Sequence, residues 1–287
     1  MKRTILTLLL VAATVSTADA GFLDKLKKLS DPESKESKIL SGTTQLISST
    51  QEMDYPTERT IGETLSLESL QRFGTPVKND RLQEYVTLVG SAVAANSKRS
   101  TIPYRFAVLD TDIYNAFAAP GGIVFISRAM LDLLENEAEL AAVLAHEVGH
   151  VAERHAVRSI KRAQFFEGVG KLTAASLKGD RGKKFESLIG DIQNVLFDKG
   201  LDKEMEFEAD RAAVETTLRT GYDPRGMLSV LKKLQRVEAK NVKKGSWFST
   251  HPPLEERIAR LEAQLSAIPG KRKGVLAASR FTASVKK

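Results

Sequence analysis

The sequence predicts an α+β protein, mainly helical, with one small sheet beside a central helix. Three observations carry that expectation. Hydrophobic residues make up 42% of the 287-residue chain and charged residues 28%, the balance of a chain that folds around a core. Apolar residues recur at helical spacing on both sides of the middle third. Only residues 103–127 switch to the alternation of strands.

The elements follow in order. Residues 1–20 read as a secretory signal: Lys2 and Arg3 precede an apolar run over residues 5–15, and Ala18 and Ala20 supply the small residues of a cleavage site. About 20 apolar residues are needed to span a bilayer, so this run is too short for an anchor. No later stretch comes near that length, and a soluble or peripheral mature protein is expected in an exported compartment, best a bacterial periplasm. The absence of cysteine does not oppose export, and it removes thiolate metal ligands. Residues 21–62, rich in Ser, Thr and charge, read as an arm or linker, and residues 63–268 as one domain.

Within that domain, helical periodicity predicts helices over 63–70 and 80–95, the second with Leu82, Val86, Val89 and Val93 on one stripe. Residues 104–109 alternate as a strand. Asn115, Ala116 and Phe117 then lead to a turn at Gly121-Gly122, and residues 123–126 form a β-branched and aromatic strand. Asn136 with Glu139 is a capping pair for the next helix, whose buried face is Leu140, Val143, Leu144, Val148 and Val151. A mostly helical insertion over 160–200 and helices over 224–238 and 254–267 complete the domain. The formal charge is +7, and the basic residues of 269–287 suggest a solvated tail, with contact to an anionic membrane or an acidic partner as the second reading. No nucleic-acid-binding motif accompanies the charge, so nucleic acid is not an expected partner.

Three of the 4 histidines lie between positions 146 and 155. On a helix His146 and His150 differ by about 40° and present two imidazoles to one point, half of a zinc site. Glu147 stands next to them, placed to take a proton from a water in the metal's open position. A third ligand in the extended three-histidine pattern would require Gly at 153 and His at 156, where Glu153 and Ala156 stand. His155 is therefore expected on the surface or behind a ligand. Downstream, Glu206 and Asp210 are four apart and share a helix face, while Glu208 points about 200° from Asp210. Glu206 is the expected third ligand, Asp210 the support of a ligating histidine, and Glu208 part of a solvated face.

His146-Glu147-Val148-Gly149-His150 followed by Glu206-Phe207-Glu208-Ala209-Asp210-Arg211 resembles metallopeptidase family forty-eight, which includes HtpX-like proteases and CAAX prenyl endopeptidases. The likeness runs from about Arg81 to Leu265, including Asn115-Ala116-Phe117, Pro120-Gly121-Gly122 and His251-Pro252-Pro253. It implies a zincin-like gluzincin fold, one zinc ion on His146, His150 and Glu206, catalysis by Glu147, and polypeptide substrates. Without membrane spans, the chain resembles the family's soluble periplasmic branch, associated with outer-membrane protein maintenance. An edge strand over 121–127 and Asn115 are the expected substrate contacts. His251 is expected either to stabilise the oxyanion or to reach zinc and block it. An assembly factor or chaperone with a latent metal site is the alternative.

Overall fold

The computed structural model describes residues 53–166, 190, 193–194, 197, 200–238, 246–251, 253–268 and 274–286. The expected signal, most of the 21–62 arm and most of the 160–200 insertion lie outside the described residues. The described elements are α1 (Tyr55–Phe73), α2 (Asp80–Ala94), β1 (Arg105–Leu109), β2 (Ala116–Ala119), β3 (Ile123–Ser127), α3 (Arg128–Leu133), α4 (Glu137–Ala152), α5 (His155–Phe166), α6 (Lys203–Thr220), α7 (Gly226–Glu238), α8 (Trp247–Thr250), α9 (Leu254–Ser266) and α10 (Ala278–Val285). It is the mainly helical α+β arrangement that periodicity predicts. None of the described helices is long and apolar enough to cross a membrane.

α4 is the centre of the fold. Asn136 caps it by accepting from the Glu139 N–H at 3.0 Å. The expected apolar stripe is buried, but so is every other residue from 137 to 151. α2, α6, α7 and β2 enclose the helix, so no side of it is left for water. α6 approaches closely because position 149 is glycine. A Cβ there would stand 3.2 Å from the Ala212 Cβ and 3.4 Å from the Ala209 Cα. Gly149 therefore sets the separation between the two helices that carry the acidic and histidine motifs.

The sheet is ordered β1-β3-β2, with β1 parallel and β2 antiparallel to β3. This overturns the expectation that residues 121–127 form an edge strand. β3 is central and both its edges are paired, which leaves β2 as the edge beside α4. Gly121 and Gly122 adopt φ of 77° and 96°, conformations that favour glycine in the turn between β2 and β3. That turn is already engaged: the Gly121 N–H donates to Glu58 and its carbonyl accepts from the Tyr55 hydroxyl. The Gly122 carbonyl accepts from the Arg105 N–H at 2.8 Å. Asn115 is buried, and its N–H and C=O both pair with Ser127.

The described part of the C-terminal tail also departs from expectation. α10 docks with Phe281 and Val285 buried, and the Arg280 guanidinium pairs with Glu137 on α4. Arg280 thus faces an acid brought from 143 residues away, a partner that local charge counting misses.

Candidate metal centre

α4 presents His146, Glu147 and His150 from its last two turns, and α6 presents Glu206 and Asp210 from its first two. The loop after α8 adds His251, and α9 adds Arg257. All seven side chains are buried. Among the described residues, His146, His150, Glu206 and His251 each offer one ligand atom within 4.8 Å of the others.

The separations are specific. The Nε2 atoms of His146 and His150 are 3.0 Å apart. Each is 3.5 Å from one carboxylate oxygen of Glu206, His146 from Oε2 and His150 from Oε1. Behind this face, the His146 Nδ1 lies 3.0 Å from the Asp210 Oδ1. A neutral His146 whose Nδ1–H faces Asp210 carries its lone pair on Nε2, towards His150 and Glu206. Lone pairs and carboxylate oxygens converging at this range repel one another unless a cation lies between them. Both Glu206 oxygens are buried without a hydrogen bond, although the Arg257 Nη1 stands 3.0 Å from Oε2. The donor set fits a metal ion.

The electrostatics agree. Burial opposes a charge on His146, yet Asp210 and Glu206 outweigh it and lift the ring to about 9. The site favours positive charge at this point, and a proton and a metal ion compete for it. Burial, then the neighbouring His146, drives His150 well below the usual histidine range. Asp210 is buried, which would raise it, but Arg257 brings it down to about 2. The Arg257 Nε and Nη2 donate to the two Asp210 oxygens at 2.8 and 2.7 Å, and its Nη1 donates to the His251 carbonyl at 2.8 Å.

Glu147 differs from its neighbours. Neither carboxylate oxygen makes a hydrogen bond, and burial pushes the group up to about 8. The nearest described cation-forming group is the His251 Nε2, 3.6 Å from Oε1. His251 is itself fixed: its ring stacks on Trp247 with centroids 4.0 Å apart, and its Nδ1 lies 2.8 Å from the Thr250 Oγ1. The free Nε2 is left towards the site. Glu147, His150 and His251 line a cleft that opens to solvent, together with Phe117, Ala118 and Ala119 of β2. Asn115, Gly121 and Gly122 do not line it.

The model of peptidase family M48 matches residues 80–265, more than half of the chain and the stretch that carries every one of these groups. The chain belongs to peptidase family M48. Among its relatives, the beta-barrel assembly-enhancing protease of Yersinia pestis is 32% identical over 187 residues, covering 62% of this chain and 38% of that protein. The protein of the same name from Escherichia coli strain K12 is 27% identical over 269 residues, covering 90% of this chain and 51% of its own length. The metalloprotease LoiP of the same strain is 27% identical over 189 residues, 66% of this chain and 73% of LoiP. The chain thus spans about half or less of the two assembly-enhancing proteases.

Three residues around this centre are not expected there from the sequence. Arg257 falls on the buried stripe of α9 with Leu254 and Leu261, and a cation on an apolar stripe was the available signal. Trp247, the sole tryptophan, is fully buried against His251. Glu208, expected on a solvated face, lies 2.9 Å from the Nε2 of His155, which takes the second of its two expected places, buried behind His150.

Proposed function

We propose that the chain is a zinc endopeptidase that hydrolyses peptide bonds in unfolded or misassembled exported proteins, in envelope protein quality control. In this reading His146, His150 and Glu206 hold one zinc ion, Asp210 orients His146, and Glu147 is the catalytic base. The observation that carries it is the convergence of two imidazole Nε2 atoms 3.0 Å apart on a buried carboxylate, with an unpartnered glutamate beside them. Ligand nitrogens on one tetrahedral zinc, at about 2.0–2.1 Å from it, lie ~3.3 Å from each other, close to the separation seen here. The periplasmic setting rests on the signal-like first twenty residues and on the names of the assembly-enhancing relatives.

Bound zinc supplies a Lewis acid that polarises the scissile carbonyl and acidifies a water. The protein's own groups do the rest. Glu147, with neither carboxylate oxygen engaged in a hydrogen bond, accepts in its ionised form the proton of the attacking water and passes it to the leaving amine. The open edge of β2 pairs with an extended substrate backbone across the cleft, which recognises main chain and tolerates many side chains.

His251 gives a second reading its footing. Its ligand atom belongs to the same four-residue group as the three proposed ligands, in reach of a fourth metal position. A metal closed off by His251 is latent, as in an assembly factor or chaperone that holds zinc without cutting.

Wild type and Glu147→Gln, compared for zinc content and casein cleavage, separate the readings. The enzyme reading expects about one zinc per chain in both, and a loss of ~10²–10⁴ in kcat for the variant. A wild type that retains no zinc ends the proposal at its base. His251→Ala then divides the roles of that residue: activity rises if it blocks, falls if it stabilises the transition state, and stays level if it does neither.

A further inference from the structure

The two histidines of α4 are supported in different ways. His146 meets a carboxylate directly, whereas His150 meets another histidine. The Nδ1 atoms of His150 and His155 are 2.8 Å apart. The Nε2 of His155 is 2.9 Å from Glu208 Oε2, and the same oxygen accepts from the Arg158 Nη1 at 2.6 Å. On a continuous helix, residue 155 would lie about 140° round from residue 150 and point elsewhere. α4 instead ends at Ala152, Arg154 adopts φ of 56°, and α5 begins at His155, whose ring returns beneath His150.

The chemistry of the chain of atoms is directional. An ionised carboxylate only accepts hydrogen bonds, so Glu208 requires the Nε2 of His155 to carry a proton. A neutral His155 then has its lone pair on Nδ1. That nitrogen accepts from Nδ1–H of His150, which leaves the His150 lone pair on Nε2, the atom facing His146 and Glu206. Each link fixes the next. We propose that His155 and Glu208 are positioning residues that impose on His150 the one tautomer able to bind the metal. The inference rests on the zinc reading above and adds to it a relay reaching the partly exposed Glu208. α6 then serves the centre three times: Glu206 as ligand, Asp210 behind His146, and Glu208 behind His150 through His155.

The test is zinc affinity by competition with a chromogenic chelator, on the full chain, with the unfolding midpoint of the metal-free protein measured beside it. Glu208→Gln breaks the rule without changing shape, because an amide can donate as well as accept and so permits the wrong tautomer. Loss of about 10–100-fold in zinc affinity is expected, the range for removing a group that orients a metal ligand. His155→Phe should lose as much, and Glu208→Gln should add nothing further in that background. His155→Gln should recover most of the affinity, since one amide can accept from His150 and donate to Glu208. Glu204→Gln, on an exposed position of the same helix, controls for the lost charge and should leave affinity unchanged.

If the wild type binds zinc and Glu208→Gln binds it equally well, the relay is overturned while the zinc site stands. Equal losses for His155→Phe and His155→Gln also overturn it, since bulk rather than hydrogen bonding would then be what His155 supplies. If the wild type itself binds no zinc, the failure belongs to the metal reading instead. A variant that unfolds is read through the other: His155 and Glu208 must each show the loss in a protein whose metal-free midpoint matches the wild type.

Discussion

Two of the buried glutamates of α4, Glu137 and Glu147, stand ten residues apart, and the fold treats them in opposite ways. Glu137, at the first turn, is 1% exposed and saturated with donors. The Tyr85 hydroxyl donates at 2.7 Å, the Tyr222 hydroxyl at 2.6 Å, and the Arg280 guanidinium completes the set. Burial alone would raise this carboxyl, but Arg280, Tyr222 and Tyr85 outweigh it and hold it below its ordinary value. Glu147 is 0% exposed, has no hydrogen bond to either oxygen, and is pushed up to about 8. Burial does not distinguish them; partnership does. Glu137 ties together α2, α4, the turn after α6 and the C-terminal α10. Glu147 is kept short of partners beside the two histidines, where the proposed chemistry would use an otherwise unfavourable group.

The comparison predicts that the same Glu→Gln change splits into two phenotypes. At position 147 the larger effect is on turnover, the ~10²–10⁴ loss set out above, with no loss of metal-free stability, because no hydrogen bond is removed. At position 137 the smaller effect is on the fold. The amide cannot satisfy Arg280 and two hydroxyl donors together, and a cost of ~2–3 kcal/mol is expected for disrupting hydrogen bonds to a buried charge. Urea denaturation should show it as a lower midpoint, while kcat per folded molecule stays at the wild-type level. A Glu137→Gln protein of unchanged midpoint would break the contrast from one side. A Glu147→Gln protein of reduced midpoint would break it from the other.

How much of this was legible in the sequence depends on how local the cause is. The placing of His146 beside His150, and of Glu206 beside Asp210, follows from helical spacing, and the Asn136 cap from a three-residue offset. The order of the sheet does not. β3 is a continuous β-branched and aromatic run, and only its pairing with β1 on one side and β2 on the other, set by contacts across the fold, makes it central and leaves β2 at an edge. Between the two places expected for His155, the surface or behind a ligand, helical register does not choose; the left-handed turn at Arg154 puts it behind His150. Glu208 was read correctly as facing away from Asp210, yet the structure puts His155 on that side, brought there by the turn. Arg280 shows the same limit for charge: its acid partner is distant in sequence, so a tail that reads as solvated is docked.

Acidity offers the finest separation of the two glutamates, in the metal-free protein. A depressed pKa such as that of Glu137 contributes stability that is fully present above the ordinary value of 4.5 and is lost as pH falls through the folded-state value. The deficit of Glu137→Gln should therefore be full at neutral pH and shrink in acid. Glu147 has the opposite sign. Its folded-state value of about 8 lies above the ordinary 4.5, so between those limits the folded protein holds a proton that the unfolded chain releases, and stability drains as pH rises. Glu147→Gln removes that drain, and its advantage over wild type should grow from about pH 4.5 to about pH 8. Urea midpoints across this window should thus carry the two variants apart as pH rises, one below wild type and one above. A Glu147→Gln curve parallel to wild type across this window would show that the isolation of Glu147 does not set its ionisation, and a Glu137→Gln deficit that did not shrink in acid would show the same for the hydrogen bonds to Glu137.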